Sequence, residues 1–374
     1  MRVGIVVPYS WSFWGAVVEH TESQAAALRD LGIETLRIMG NDPPGQFSRA
    51  LHPRVARLGD PPPDVRPIGR SVIVPANGSL PNLILSPRSV WRMYQVLRNE
   101  RFDVLHLHEP MAPVPCVAAL SFAEVPVVAT FHAAGELGWM RGARHIWGFL
   151  AEGISHRIAV SPAAAESAAH WLGGEYEVLP NGTILPETFD ARGREHRILF
   201  AGRHEPRKGL KFLLRAWPRI ERETGLRLRV AGADPLAVRW LLSQVGTPTD
   251  GIDVLGFLSQ EELTAELLRA KAFVAPALGQ ESFGMALTRA FGCATPVVAS
   301  DIPGYRTVME PDVGVTFGPA DEDALVAAVA ELVSDEERRA SYGERARAVA
   351  EEKYAWPKLA TRLAEIYGGL ARTG

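Results

Sequence analysis

The segment "GQESFGMALTRAFGCATPVVASDIPG" (279–304) places a carboxylate, Glu281, just before a Phe283-Gly284 step, and an arginine, Arg289, eight residues after it. It lies between strand-like runs and so reads as loop, helix, strand. A helix opening at Phe283 and Gly284 offers free backbone N–H groups and a positive dipole end to an anionic group. Glu281 can accept hydrogen bonds from the hydroxyls of a sugar, or it can serve as a plain capping acid.

A second stretch, "FAGRHEPRKGLKFLLRAW" (200–217), ends a strand at Gly202 and sets Arg203 and Lys208 around a turn before an amphipathic helix. Lysine is scarce, confined to Lys208, Lys211, Lys271, Lys353 and Lys358. An arginine and a lysine five residues apart can aim a bidentate fork and a compact charge at one phosphate pair. A solvated basic helix start is the other reading. In "VATFHAAG", His132 follows an apolar strand at the end where α/β sites lie, although a lone histidine there is more often a satisfied structural residue. "HLHEP" (106–110) puts His106 and His108 on one strand face with no third ligand in view, so no metal site is expected. Asp321-Glu322-Asp323 directly precedes a helical run and reads as a cap.

These residues need elements to hold them. Short apolar runs alternate with helical stretches along the chain, the pattern of α/β proteins with parallel sheets. The runs in the first half are 2–9, 34–40, 71–76, 103–110, 126–133, 157–162 and 176–180. After a polar stretch, Asp190–Glu195, that suits a linker, a second series follows at 197–203, 226–233, 252–257, 272–277, 296–301 and 313–318. Two doubly wound domains are expected, with the ligand where the C-terminal ends of their sheets face each other. The length of 374 residues suits two cores, and helices at 322–332, 335–351 and 356–371 close the chain. Asp42–Pro67, rich in Pro and Gly, reads as a surface excursion.

The formal charge of −3 gives no global case for nucleic-acid binding. Cys116 and Cys293, far apart, argue for a reducing, cytoplasmic compartment rather than a disulfide framework. The start "MRVGIVVPYS" is too short an apolar run for a signal-peptide core, and no run is long enough to span a membrane.

Taken in order, "PYS…GAV…EH", "VPANGS", "FDVLHLHEP", "VATFH", "RIAVSP", "LPNG", "GRHEPRKG", "VLGFLS", "APALGQESFGMAL" and "PVVASDIPGYRTV" resemble the retaining GT-B glycosyltransferases of family 4. The resemblance runs over essentially the whole chain and is nearest to the phosphatidylinositol mannosyltransferases. It implies an α/β fold of two Rossmann-like domains with a cleft between them. Residues 1–185, completed by a C-terminal helix within 356–374, would face the acceptor, and residues 196–355 would hold the donor. By the resemblance, Arg203 and Lys208 bind the donor diphosphate in place of a metal ion, and Glu281 contacts the transferred sugar. Gly202, Ser282, Phe283 and Gly284 line the donor, His132 sits beside the sugar, and Gly15 with Ala16 approaches the phosphates. Tyr9, Trp11, Trp14, Asn77 and Ser79 fall on the acceptor side. No cofactor is implied beyond a nucleoside-diphosphate sugar as substrate. The implied acceptor is a lipid or natural-product hydroxyl, and the implied location is cytoplasmic, peripheral at the inner face of the plasma membrane.

Several positions depart from the family pattern. Arg289 stands where a second glutamate usually grips the donor ribose, and a guanidinium has no acceptor atom. Ala16 and Ala233 replace glycines, and Val18 and Asn82 replace an expected Gln and Arg near the acceptor. Trp11, Phe13 and Trp14 suggest a flat or apolar acceptor, interfacial anchoring, or simple packing. Arg88, Trp91, Arg92 and Tyr94 on one helix suit an anionic membrane or a solvated face. Arg289 and Ala16 also fit a transferase-like protein that has lost ordinary transfer and acts as a binding or partner subunit.

Overall fold

A computed structural model describes residues 1–43, 45, 57, 59–74, 82–133, 148 and 150–372. The chain divides into two compact units, one of Met1–Gly182 with Trp356–Gly374, the other of Thr183–Ala355.

The first unit is built on β1 (Arg2–Ser10), β2 (Glu34–Gly40), β3 (Val65–Gly69), β6 (Val104–His108), β7 (Val127–Phe131), β8 (His156–Ala159) and β9 (Glu177–Val178), in the spatial order β3-β2-β1-β6-β7-β8-β9. These strands pair in parallel. A short antiparallel pair, β4 (Ser71–Ile73) and β5 (Asn82–Ile84), joins the end of β1 where Tyr9 faces Leu83. The near-continuous apolar text of β1 and β7 follows from burial on both faces, as parallel sheets require. Strand β3 begins inside the stretch read as a surface excursion and runs two residues past it. Its Pro67 cannot donate to a ladder, which suits an edge strand.

The final helix, Trp356–Ala371, belongs to this unit. It buries Trp356, Leu359, Leu363, Ile366 and Tyr367, each such side chain contributing roughly 1.5–3 kcal/mol. Gly182 is needed for this docking, because a Cβ there would lie 2.4 Å from the Trp356 indole.

The second unit is a sheet of β10 (Glu195–Ala201), β11 (Arg227–Ala231), β12 (Ile252–Gly256), β13 (Ala270–Ala275), β14 (Val297–Ser300) and β15 (Gly314–Phe317), ordered β12-β11-β10-β13-β14-β15 and parallel throughout. Helix starts are written in the sequence. Asp234 caps Pro235–Val245, Ser259 and Glu262 form a capping box, and the Asp321 carboxylate accepts from the Ala324 N–H at 2.9 Å. Asp321 is thus a cap, while Glu322 and Asp323 pair with Arg215 and Arg219.

The stretch expected as a linker, Asp190–Glu195, is pinned instead to this unit. Buried Arg194 donates to the carbonyls of Leu267, Cys293 and Ala294, and Arg339 donates to those of Ala191 and Arg192. Guanidinium forks satisfy carbonyls that a helix end and a turn leave open.

Candidate active site

In both sheets the strand order reverses once, between β1 and β6 and between β10 and β13, and ligands of such sheets bind beyond the C-terminal strand ends at that point. In the second unit, β10 ends just before Gly202 and Arg203, and β13 just before the loop carrying Glu281. After Arg203 the chain makes a single 3₁₀ turn, Pro206–Lys208, which presses against the end of β13. Gly209 closes it with φ +73°, and a Cβ there would lie 1.8 Å from the Pro276 carbonyl oxygen, so only glycine fits.

This turn and the Glu281 loop share one charged network. Lys208 Nζ lies 2.7 Å and Arg207 Nη1 2.6 Å from Glu281 Oε1. Arg207 also pairs with Glu205 at 3.0 Å, and Arg203 reaches Glu205 at 3.1 Å. Both carboxylate side chains are about nine-tenths buried, at 8% and 10% exposure, while Arg203 and Lys208 keep 30% and 22%. Three cations face two carboxylates, and the cations are the more exposed members, so the cluster presents net positive charge to an incoming anion. Glu281 is not a helix cap. Gly284 is the N-cap of the helix Met285–Gly292, with φ +89°, and no side chain caps it. Phe283 is buried edge-on against Tyr354, Ser282 is half-buried, and the Tyr305 ring closes over Gly284. Burial and the nearby Glu281 carboxylate push the Tyr305 phenol well above its ordinary range.

In the first unit, Gly15 is the uncapped N-cap of the helix Ala16–Asp30, and Ala16 is exposed in its first turn. One turn later His20 packs against His108, at the end of β6, and His132, just after β7. His108 Nδ1 and His132 Nε2 share a hydrogen bond of 2.9 Å. Burial, foremost, holds His132 down at about 3, and holds His20 and His108 well below the ordinary range, with neighbouring histidines adding to the effect on these two. These rings are therefore neutral near pH 7. The carboxyl of Glu109 is raised to about 7 by burial, although the backbone N–H groups of His132 and Ala133 donate to it. His106 is structural: its ring bonds Thr130 Oγ1 at 2.7 Å on one side and Gln24 and the Tyr367 hydroxyl on the other.

Family models match both halves: "Glycosyltransferase Family 4" over residues 17–185 and "Glycosyl transferases group 1" over 184–349. A phosphatidyl-myo-inositol mannosyltransferase of Propionibacterium freudenreichii subsp. shermanii is 35% identical over 98% of this chain and 94% of its own length. The chain belongs to glycosyltransferase family 4. A protein of the same name from Mycobacterium leprae is 33% identical over 100% of this family 4 chain and 98% of its own. Among solved structures, sucrose-phosphate synthase from Thermosynechococcus elongatus aligns with a TM-score of 0.76 at 18% identity over 100% of both chains. Anabaena Alr3699/HepE in complex with UDP and glucose aligns at 0.72 and 17% identity over 99% of this chain and 100% of its own. These two likenesses carry the GT-B fold of paired Rossmann-like domains.

The other residues singled out in the sequence of this family 4 chain are placed as follows. Trp11 and Phe13 are buried, at 7% and 4% exposure, and Trp11 belongs to the core. Trp14 is half-buried, with the Arg57 guanidinium 4.1 Å from its ring centre. Trp11 and Phe13 are thus packed inward. Tyr9 ends β1 half-buried, Val18 is a core residue, and Asn82 is buried in β5. Asn77 and Ser79 lie outside the described residues. Arg289 is half-buried in the last turn of its helix, where a cation complements the dipole, and its charge reaches Cys293 together with Arg194 and Arg347.

Four contributors escaped the sequence reading: Glu205, Arg207, Tyr305 and His20. The first two stand inside "GRHEPRKG", where the alternation of Glu and Arg signals a pairing network. Tyr305 stands in "DIPGYRTV". His20 is the histidine of "GAV…EH", which carried part of the resemblance without being given a role.

Proposed function

We propose that this family 4 chain is a retaining, metal-independent transferase moving a hexose of mannose or glucose type from a nucleoside-diphosphate sugar to the hydroxyl of a lipid or small-molecule acceptor. The observation that carries it is the cluster of Arg203, Arg207 and Lys208 around Glu205 and Glu281 at the reversal point of the second sheet. Arg203 and Lys208 hold the diphosphate and stabilise the charge that grows on it as the anomeric C–O bond breaks. Glu281 accepts from sugar hydroxyls, with its free oxygen oriented by the two cations on Oε1. In the retaining step, the acceptor oxygen attacks on the face the phosphate leaves, and its proton passes to a phosphate oxygen. No separate general base is then required. His132, neutral, offers a hydrogen bond to the sugar rather than a charge.

The names of the relatives make mannose and an inositol phospholipid the first donor sugar and acceptor to test. Peripheral membrane contact is supported by the helix Pro87–Asn99, which has no acidic residue and exposes Arg88, Arg92 and Trp91, the last at 60%. No described helix is long and apolar enough to cross a membrane. The test is incubation with GDP-mannose or UDP-glucose and phosphatidylinositol vesicles in chelator, with mass spectrometry of the lipid and assignment of the new anomeric centre. A product of inverted configuration refutes retention. Absence of transfer from every donor, with no stabilisation by any nucleotide, favours a binding or partner subunit.

A further inference from the structure

His20, His108 and His132 come from three elements, yet one ligand atom from each lies within 4.8 Å of the others. His20 rises from the helix Ala16–Asp30, His108 ends β6, and His132 follows β7. Their ring centroids stand 5.4, 5.1 and 5.2 Å apart. A zinc ion bound at about 2.0–2.1 Å by three imidazoles lies about 3.2 Å from each ring centre, so tetrahedral angles put the centres about 5.2 Å apart. The observed triangle already has that size. The ligand nitrogens must converge to about 3.4 Å from one another.

The site also holds polar atoms that the protein does not satisfy. His20 Nδ1 and His108 Nε2 are buried without hydrogen-bond partners among the described residues. An orphaned buried polar atom calls for an unseen water or ion.

We infer that His20, His108 and His132 form a site for one borderline divalent transition-metal ion of the zinc class, with a water completing the tetrahedral shell. Imidazole donors select such ions over Mg²⁺ and Ca²⁺, which require oxygen ligands. Binding breaks the His108–His132 hydrogen bond, and each ring keeps its one proton on the nitrogen that does not ligate. Where His132 contacts the donor sugar, which rests on the proposed function, an occupied site removes it and the metal acts as a reversible inhibitor.

The test uses the tag-free full chain, stripped with chelator and titrated with Co²⁺. One equivalent should raise an intense visible d–d band that Zn²⁺ abolishes and Mg²⁺ leaves unchanged. His20→Asn and His108→Asn should each lose the band. Because either variant could fail to fold, X-ray absorption at the cobalt edge of the wild-type complex provides a count of imidazole ligands independent of any substitution. Three imidazoles support the site. Fewer than three, no band at all, or a band retained in both folded variants overturns it. None of these readouts depends on transfer activity, so failure of the metal site and failure of the proposed function are distinguishable.

Discussion

Gly304 lies in a short helix, Pro303–Arg306, that packs directly on the backbone of the Glu281 loop. A Cβ built on Gly304 would lie 1.8 Å from the Glu281 carbonyl oxygen and 3.1 Å from the Glu281 Cβ. Real Cβ atoms stay beyond 3.0 Å, so Gly304→Ala must move the Glu281 backbone, or its own, by about 1.2 Å. The obstacle is backbone rather than a flexible side-chain end, so overpacking should cost about 1–3 kcal/mol of stability. The displacement matters more for the site, because the Lys208 and Arg207 contacts to Glu281 are only 2.7 and 2.6 Å long and are lost over such a distance. A misplacement of about 1 Å at a positioned group can cost on the order of 100-fold in rate. The assay pairs thermal melting of the apoprotein with nucleotide-dependent stabilisation and transfer rate at a temperature where the variant is folded. A modest drop in melting temperature with a large loss of transfer is expected. Full transfer in a folded Gly304→Ala protein would refute the claim that this contact sets the position of Glu281.

Gly15 makes the complementary case: it is extended, and a Cβ there meets nothing within 4 Å, so Gly15→Ala should leave the melting temperature unchanged and weaken only diphosphate binding, as read by calorimetry. Lys208→Ala should abolish diphosphate-dependent stabilisation, and an unchanged thermal shift would remove Lys208 from that role. Arg289→Glu should strengthen ribose-dependent nucleotide binding if the site is a weakened clamp; weaker binding of the true donor would make Arg289 a recognition element. Burial holds His106 and His132 at about 3 against an ordinary 6.5, so the unfolded chain takes up protons that the native one does not. Stability is therefore full above pH 6.5 and falls as pH drops toward 3, by up to about 1.4 kcal/mol per pH unit for each ring. Glu109, raised to about 7, offsets one proton with the opposite sign. Urea denaturation of metal-free protein at pH 7 and pH 5.5 checks this, and equal midpoints would contradict it.

The strands and the residues at their C-terminal ends were legible because a parallel sheet writes its burial as continuous apolar text, and a reversal point follows from strand order. Strand β3 was not legible, since Pro67 and Gly69 break the pattern at an edge where they do no harm. Asp190–Glu195 looked like a linker because its composition is polar. Composition does not reveal that the Arg194 fork finds carbonyls at Leu267, Cys293 and Ala294, far along the chain. His20 belongs to the quoted "GAV…EH" text, yet only the packing of three elements makes it part of a cluster. Glu205 and Arg207 carry the same lesson at shorter range, since a charge run signals ions without saying which pairs are buried.

The central claim is that Arg203, Arg207 and Lys208 form a diphosphate site that needs no metal. Isothermal calorimetry of GDP and UDP binding in chelator, to wild type and to Arg203→Ala with Lys208→Ala, tests it most directly. Binding of at least one nucleotide by wild type, lost in the double variant with the fold intact, is the predicted result. No binding by wild type, or binding only when Mg²⁺ is added, would contradict it.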